Sequence, residues 1–214
     1  MIQVLRKLTR KMELYPLRLL LERSPSKAMI EKDIHRWILM HNRPMSGSSV
    51  PEKLAWLMYA MNLEEFRNVL FYRIGTPTKF LDRSLLSLCK TLFPPRGTLL
   101  LATSAIGPGL VIMHGFGTFV DAEKVGENCL IFQDVVIGCK NEKNDRPTIG
   151  NYVHISVGAK VLGNITIGDH AVIAANSVVT KDMPPNSLAV GIPARIIRNA
   201  GNRAEYVASG DIPA

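Results

Sequence analysis

Apolar residues in the first part of the chain recur at three- and four-residue spacing. Leu17, Leu20 and Leu21 follow it, as do Trp56, Leu57 and Ala60, continued by Leu63, Phe66, Leu70 and Phe71. That spacing gathers side chains on one side of an α-helix. Breaker-rich segments at Pro44 to Pro51 and Gly75 to Pro77 divide the region, so roughly four helices are predicted before Pro94-Pro95-Arg96-Gly97.

Beyond Gly97 the helical spacing disappears and a six-residue period replaces it. Ile149, Ile155, Val161, Ile167, Ile173 and Val179 fall six apart without interruption, and Val125, Ile131 and Ile137 hold the same interval upstream. A small residue often follows the aliphatic one, as in Ile106-Gly107, Val125-Gly126, Ile137-Gly138, Ile149-Gly150, Ile167-Gly168 and Ile173-Ala174. Val153, Ala159, Ala171 and Ser177 supply a second small or branched position within the hexads.

A period of six fits neither the period of about 3.6 of a helix nor the period of about two of a strand. Each hexad must therefore be a short strand plus a corner, and three hexads close a triangular coil of about eighteen residues with aliphatic ladders inside. This is the left-handed parallel β-helix, an exception to right-handed crossovers that small corner residues help to permit. Roughly five coils are predicted between Ile106 and Val179. The fold class is thus α+β: an α-helical N-terminal domain over 1–97, a β-helix over 98–183, and a C-terminal cap and tail over 184–214. The helices can close one end of the prism, and Pro184 to Arg198 the other.

Composition changes this picture in one respect. Hydrophobic residues make up 47% and charged residues 21% of 214 residues, ordinary for a globular chain, but the net charge of +8 is unevenly spread. Residues 1–98 carry 17 Lys and Arg against 8 Asp and Glu, and residues 99–214 carry 9 against 10. The basic excess is N-terminal, where it suits solvated helix faces or peripheral contact with a membrane surface. No nucleic-acid partner is expected. Cys89, Cys129 and Cys139 are odd in number and lack metal-ligand spacing, which fits a reducing cytoplasm without disulfides or a metal site. The basic N-terminus is interrupted by charge too often for a signal peptide. The uncharged run Thr98 to His114 is broken by Gly107, Pro108 and Gly109 and does not suit a membrane span.

One register break carries candidate chemistry. Ile112 and Val125 lie thirteen rather than twelve apart, with Met113-His114-Gly115-Phe116-Gly117-Thr118 between them. An imidazole beside two glycines is expected to be exposed and approachable. It suits a general base that takes a proton from a hydroxyl attacking a thioester, with backbone N–H groups holding the oxyanion. His154 and His170 are expected at corner positions, exposed to solvent.

His114-Gly115, Val125-Gly126-Glu127-Asn128, Asn144-Asp145-Arg146-Pro147, Gly158 to Asn164 and Gly191-Ile192-Pro193-Ala194-Arg195 together resemble the hexapeptide acyltransferases, specifically the serine acetyltransferase-like branch. The resemblance covers Ile106 to Ile197. It implies direct acetyl transfer from acetyl-CoA to a hydroxyl with His114 as base, no metal, and a homotrimer, with dimers of trimers a further step. It also implies a pantetheine groove between two prisms. The matching backbone positions are Gly138, Cys139, Ser156, Val157, Ala174 and Ala175, with Lys181 and Arg195 as candidates for the nucleotide phosphates.

The departures bear on the acceptor. The branch carries an Asp just before its histidine, where Met113 stands here, and another about one coil upstream, near Leu99. It also carries a His after the Asp-Arg of the loop, where Arg146 meets Pro147. An amino acid's ammonium and carboxylate left without partners would cost several kcal/mol. A hydroxyl of a sugar or polysaccharide precursor is therefore the expected acceptor, with serine O-acetylation for cysteine biosynthesis as the alternative. A non-catalytic or metal-binding β-helix is the third reading. Asp121 and Asp134 are the candidates for orienting His114.

Overall fold

The computed structural model describes residues 2–41, 47–140 and 144–197. Among the described residues the N-terminal region is helical, but in five α-helices rather than about four: α1 (Ile2–Arg23), α2 (Lys27–Met40), α3 (Val50–Ala55), α4 (Glu64–Ile74) and α5 (Phe80–Leu92). A π-turn, Trp56–Ala60, prolongs α3. The additional division falls at Ser24-Pro25-Ser26, between α1 and α2.

Pro51 starts α3 instead of ending a helix, because a first-turn residue has no acceptor for the N–H that proline lacks. A capping box precedes it, in which the backbone N–H of Ser49 donates to Glu52 Oε2 at 2.8 Å. Residues 44–46 of the expected breaker segment lie outside the described residues. Leu17, Ile34, Trp37, Leu57, Phe66 and Leu70 form the centre of the helical core, and the Trp37 and Phe66 rings meet edge to face at 5.4 Å.

From Leu99 the chain winds as a three-sided prism. One side stacks β1 (Leu99–Leu101), β3 (Thr118–Val120), β6 (Val136–Gly138), β9 (Lys160–Leu162) and β12 (Val178–Val179). The second stacks β4 (Lys124–Val125), β7 (Thr148–Ile149) and β10 (Thr166–Ile167). Bridges from Ile106 to Val125 and from Ile167 to Met183 extend this side in both directions. The third stacks β2 (Val111–Ile112), β5 (Leu130–Ile131), β8 (His154–Ile155), β11 (Val172–Ile173), β13 (Leu188–Val190) and β14 (Arg195–Ile197).

All neighbouring strands are parallel except β13 and β14. The aliphatic residue of each hexad is buried on the prism axis, as Ile131, Ile137, Ile149, Ile155, Val161, Ile167 and Ile173 illustrate. The expected left-handed β-helix of about five coils is the architecture observed.

Corners are tight where the sequence places glycine. A β-carbon at Gly126 would stand 2.4 Å from the carbonyl oxygen of Gly150 in the next coil, so any side chain there would push the coils apart.

The helices close the first end of the prism. At the first coil Trp37 Nε1 of α2 donates to the Leu110 carbonyl at 2.8 Å. Arg73 of α4 donates to the carbonyls of Ile106 at 2.5 Å and Gly107 at 2.6 Å, while Gly109 N–H donates to Asp33 Oδ1 at 2.6 Å. Orphan backbone groups of the terminal coil thus receive partners from the helices. At the other end the antiparallel β13–β14 hairpin lies within the expected cap, Pro184 to Arg198. Arg198 itself lies outside the described residues. Among the described residues no helix is long and apolar enough to cross a membrane.

Candidate active site

The corner that follows β5, β8 and β11 repeats with one geometry. Asp134, Gly158 and Asn176 stand three residues after Ile131, Ile155 and Ile173, and each has a positive φ, 56°, 71° and 56°. One coil earlier the equivalent residue is Gly117, φ 67°, which stands five residues after Ile112. Asp134 N–H donates to the Phe116 carbonyl at 3.0 Å, which fixes this correspondence. The corner therefore holds two more residues than its neighbours. The side from Val120 to Val125 is one residue shorter than its counterpart from Val161 to Ile167, so a net excess of one remains in the sequence interval.

His114 lies in this enlarged corner and is exposed, as expected. Its φ is 59°, a conformation rare for a residue with a side chain, and the Phe116 N–H closes a tight turn on its carbonyl at 2.5 Å. Met113 before it is half-buried, with its N–H on the Ile131 carbonyl at 2.8 Å, and Phe116 is 45% exposed. The imidazole is thus held by a strained turn on a rigid coil beside an apolar rim, an arrangement suited to proton transfer at a docked hydroxyl.

Of the two expected orienting carboxylates, one is near. Asp134 borders the enlarged corner, with its side-chain oxygen against Gly117. Asp121 follows the far end of β3 and pairs through Oδ1 with Arg146 Nε at 2.9 Å. Its role is to anchor the loop before β7, which Asp145 also ties down by accepting from the Asn164 N–H.

Ser156-Val157 and Ala174-Ala175 share the His114 corner column, one and two coils below Phe132-Gln133. Asn176 N–H donates to the Val157 carbonyl at 2.8 Å within this column. Gly138 ends β6 and Cys139 follows it, at the opposite edge of that prism side. A single chain therefore does not gather all six backbone positions. Lys181 and Arg195 are exposed near the C-terminal end of the prism.

His170 is a corner residue as expected, with φ 58°, but it is half-buried rather than exposed, stacked on Tyr152 at 4.9 Å. His154 is not a corner residue. It lies in β8, half-buried between Leu130 and Val172 of the neighbouring strands and stacked on Phe132 at 5.3 Å. Burial lowers its pKa to about 4. Cys89 and Cys129 are buried, and burial pushes their thiols up to about 11 and about 12, which suits packing rather than nucleophilic chemistry.

Leu99, where the missing upstream Asp would stand, is buried against the enlarged corner. Glu65 of α4, a buried carboxylate, also packs on Gly115. Its only sequence signal is a charge at a core-facing helical position beside Phe66.

Residues 146–181 match the bacterial transferase hexapeptide family (six repeats). The six-residue repeat of the prism is thus that family's repeat over these residues, and beyond them the chain is similar to serine acetyltransferases. It is 40% identical over 111 residues to a serine acetyltransferase of Synechococcus elongatus, covering 50% of this chain and 46% of that protein. A serine acetyltransferase of Staphylococcus xylosus is 43% identical over 101 residues, covering 46% and 47%. The chain thus spans about half the length of the curated relatives it matches.

Solved structures extend the similarity into the helices. The Neisseria gonorrhoeae serine acetyltransferase in complex with serine superposes with a TM-score of 0.60 at 28% identity, covering 85% of this chain and 73% of that one. The Brucella abortus serine acetyltransferase gives 0.63 at 28% identity, covering 87% and 74%. A serine acetyltransferase in complex with CoA gives 0.59 at 27% identity, covering 85% and 74%.

Proposed function

We propose that this protein transfers an acetyl group from acetyl-CoA to a hydroxyl, with His114 as the general base and serine as the first acceptor to test. The observation that carries the mechanism is the exposed, positive-φ His114 in an enlarged prism corner. The acceptor follows from the comparisons. The named relatives are serine acetyltransferases, which favours serine over the sugar hydroxyl expected from the sequence.

In the proposed reaction the imidazole removes the proton as the hydroxyl oxygen bonds to the thioester carbon. The C–S bond of the tetrahedral intermediate then breaks, and the imidazolium returns the proton to the leaving thiolate. Small residues at Ser156-Val157 and Ala174-Ala175 leave backbone accessible to a pantetheine arm, and Lys181 and Arg195 offer charge to the nucleotide phosphates. One solved neighbour, a serine acetyltransferase, is in complex with CoA, which supports that assignment.

Separation of Gly138-Cys139 from the other backbone positions suits a groove shared between prisms. The outer face of the β1–β3–β6–β9–β12 side offers an apolar ladder of Leu100, Phe119, Val136 and Val178, interrupted by Lys160. Leu100 is 55% exposed, and burial of such a face supports a homotrimer. Sedimentation analysis giving a monomer at working concentration would remove this part of the proposal.

A sugar hydroxyl is kept as a second reading for one reason: Met113 and Leu99 supply no charge where the resemblance expects carboxylates. Thiol release from acetyl-CoA, measured over L-serine, simple sugars and nucleotide sugars, separates the two. Release with serine alone supports the first, and release with a sugar alone supports the second. Turnover undiminished in His114→Ala would overturn the mechanism for either.

A further inference from the structure

Helices α2 and α4 lie against the first coil of the prism through β1 and β2, while α1 packs chiefly on α5. An ion pair between Arg23 Nε and Asp82 Oδ1, 3.0 Å apart, joins the end of α1 to the start of α5.

Helix α5 is apolar over more of its surface than the fold buries. Leu86, Cys89 and Phe93 are buried. Beside them Leu81, Leu85, Leu88 and Leu92 recur at spacings of four, three and four, which sets them within about 60° of one another around the helix. Leu85 is half-buried, and the other three are 42 to 53% exposed. Phe80 opens the helix at 79% exposed. Ser84, Ser87 and Thr91 are exposed too and complete a charge-free arc, which Arg83 and Lys90 bound on the side away from the leucines. Met12 and Tyr15 of α1 are 74% and 65% exposed. Large apolar side chains gathered in this way mark a surface that meets another apolar phase.

The charges around these side chains favour one kind of partner. The acids are engaged: Glu13 accepts from the Tyr59 hydroxyl, Glu22 pairs with Lys27 Nζ at 2.6 Å, and Asp82 pairs with Arg23. Arg18, Lys79 and Arg83 are exposed and have no ion pair among the described residues. Two copies of this face would bring those cations together, which opposes self-association. Anionic headgroups neutralise them, and the acyl chains beneath accept the leucines. Arginine and lysine reach headgroups while their stems lie along apolar surface, and a tyrosine suits the same boundary.

We propose that the α1–α5 face docks the protein on a bilayer containing anionic lipid, with Phe80, Leu81, Leu88 and Leu92 entering the interface. The contact is peripheral, because α5 lies along the surface rather than across it. It does not depend on which hydroxyl the protein acetylates.

The test is flotation of the full-length protein with vesicles of phosphatidylcholine, alone or with about a quarter phosphatidylglycerol. The protein should float with the anionic vesicles at about 50 mM salt, bind the neutral ones about tenfold more weakly, and be largely released at about 0.5 M salt. Leu81→Ser combined with Leu88→Ser should weaken binding about tenfold, and Lys79→Gln combined with Arg83→Gln by a similar factor of about ten. Ile192→Ser removes an apolar side chain that is 73% exposed at the far end of the prism, and should change binding less than about twofold.

Failure to float with anionic vesicles at low salt overturns the proposal. Undiminished flotation of the folded double leucine variant overturns it as well, since charge alone would then hold the protein. A smaller assembly in that variant at unchanged vesicle binding would make the face a contact between copies instead. If the double leucine variant does not fold, Phe80→Trp reads insertion directly. Its emission should move to shorter wavelength with anionic vesicles, beyond any change in the native protein, and an unmoved emission overturns the proposal.

Discussion

Arg73 and Asp33 form a buried ion pair, with Nε and Oδ2 2.7 Å apart and both side chains almost fully enclosed, at the junction of helices and prism. Each partner also serves the first coil: the guanidinium donates to the Ile106 and Gly107 carbonyls, and the carboxylate accepts from Gly109 N–H. Burial raises the Asp33 pKa, and Arg73 offsets part of that rise. The pair therefore acts as a clamp whose charge is tolerated because every arm has a partner.

Removing one arm should be costly. Arg73→Met or Asp33→Leu leaves the other charge buried and uncompensated, and a loss of about 3 to 5 kcal/mol is expected for each. The double variant should lose less than the sum, because neither charge remains. Denaturant unfolding of the three variants gives the answer. Losses that simply add would mean that the residues do not act as a pair.

A second expectation concerns coil spacing. Gly126→Ala places a methyl 2.4 Å from a backbone oxygen of the next coil, whereas a β-carbon at Gly138 meets nothing nearer than Phe119 Cε1 at 3.7 Å. Gly126→Ala should destabilise by about 1 to 3 kcal/mol, the usual cost of overpacking. Gly138→Ala should change stability by less than about 0.5 kcal/mol. Equal melting temperatures for the two would show that the coils yield at their corners.

These contrasts bear on what the sequence discloses. Each prism side contributes one aliphatic residue per hexad to the axis, so Ile149 to Val179 announce the prism through spacing alone. The enlarged corner is only half visible: two residues are added around His114, but the side ending at Val125 is one short, so the interval reads thirteen. The partners Asp33 and Arg73 are 40 residues apart, and Glu65 and Gly115 are 50 apart. Helical period assigns such positions to a core without naming what they touch. His154 is in a strand and not at a corner because the hexad register, not the composition, separates the two positions, and His154 immediately precedes the axial Ile155.

That strand position gives His154 a measurable consequence. Its pKa falls from 6.5 to about 4 in the folded protein, because burial against Phe132 penalises the charged ring. The unfolded chain takes up the proton near pH 6.5, while the folded chain resists until about pH 4. The neutral ring's contribution is therefore complete above pH 6.5 and is lost progressively as pH falls toward 4. Thermal unfolding at pH 7.5, 5.5 and 4.5 should show a steeper acid loss for the native sequence than for His154→Phe, which keeps the stack without the titration. Parallel pH curves would exclude His154 as the source.

Lys181 and Arg195 test the orientation of acetyl-CoA along the prism. Both are exposed near its C-terminal end, Arg195 in β14 opposite Val190, while His114 lies near the first coil. A bound nucleotide would place its phosphates at the cationic end and its thioester toward the histidine. Replacing each cation by Gln should then raise KM for acetyl-CoA about three- to tenfold with little change in kcat, since the charges bind ground state and transition state alike. The effect should weaken as salt rises, because exposed ionic contacts are screened. A fall in kcat at unchanged KM would place these residues at the chemical step instead and reverse the proposed direction of the cofactor.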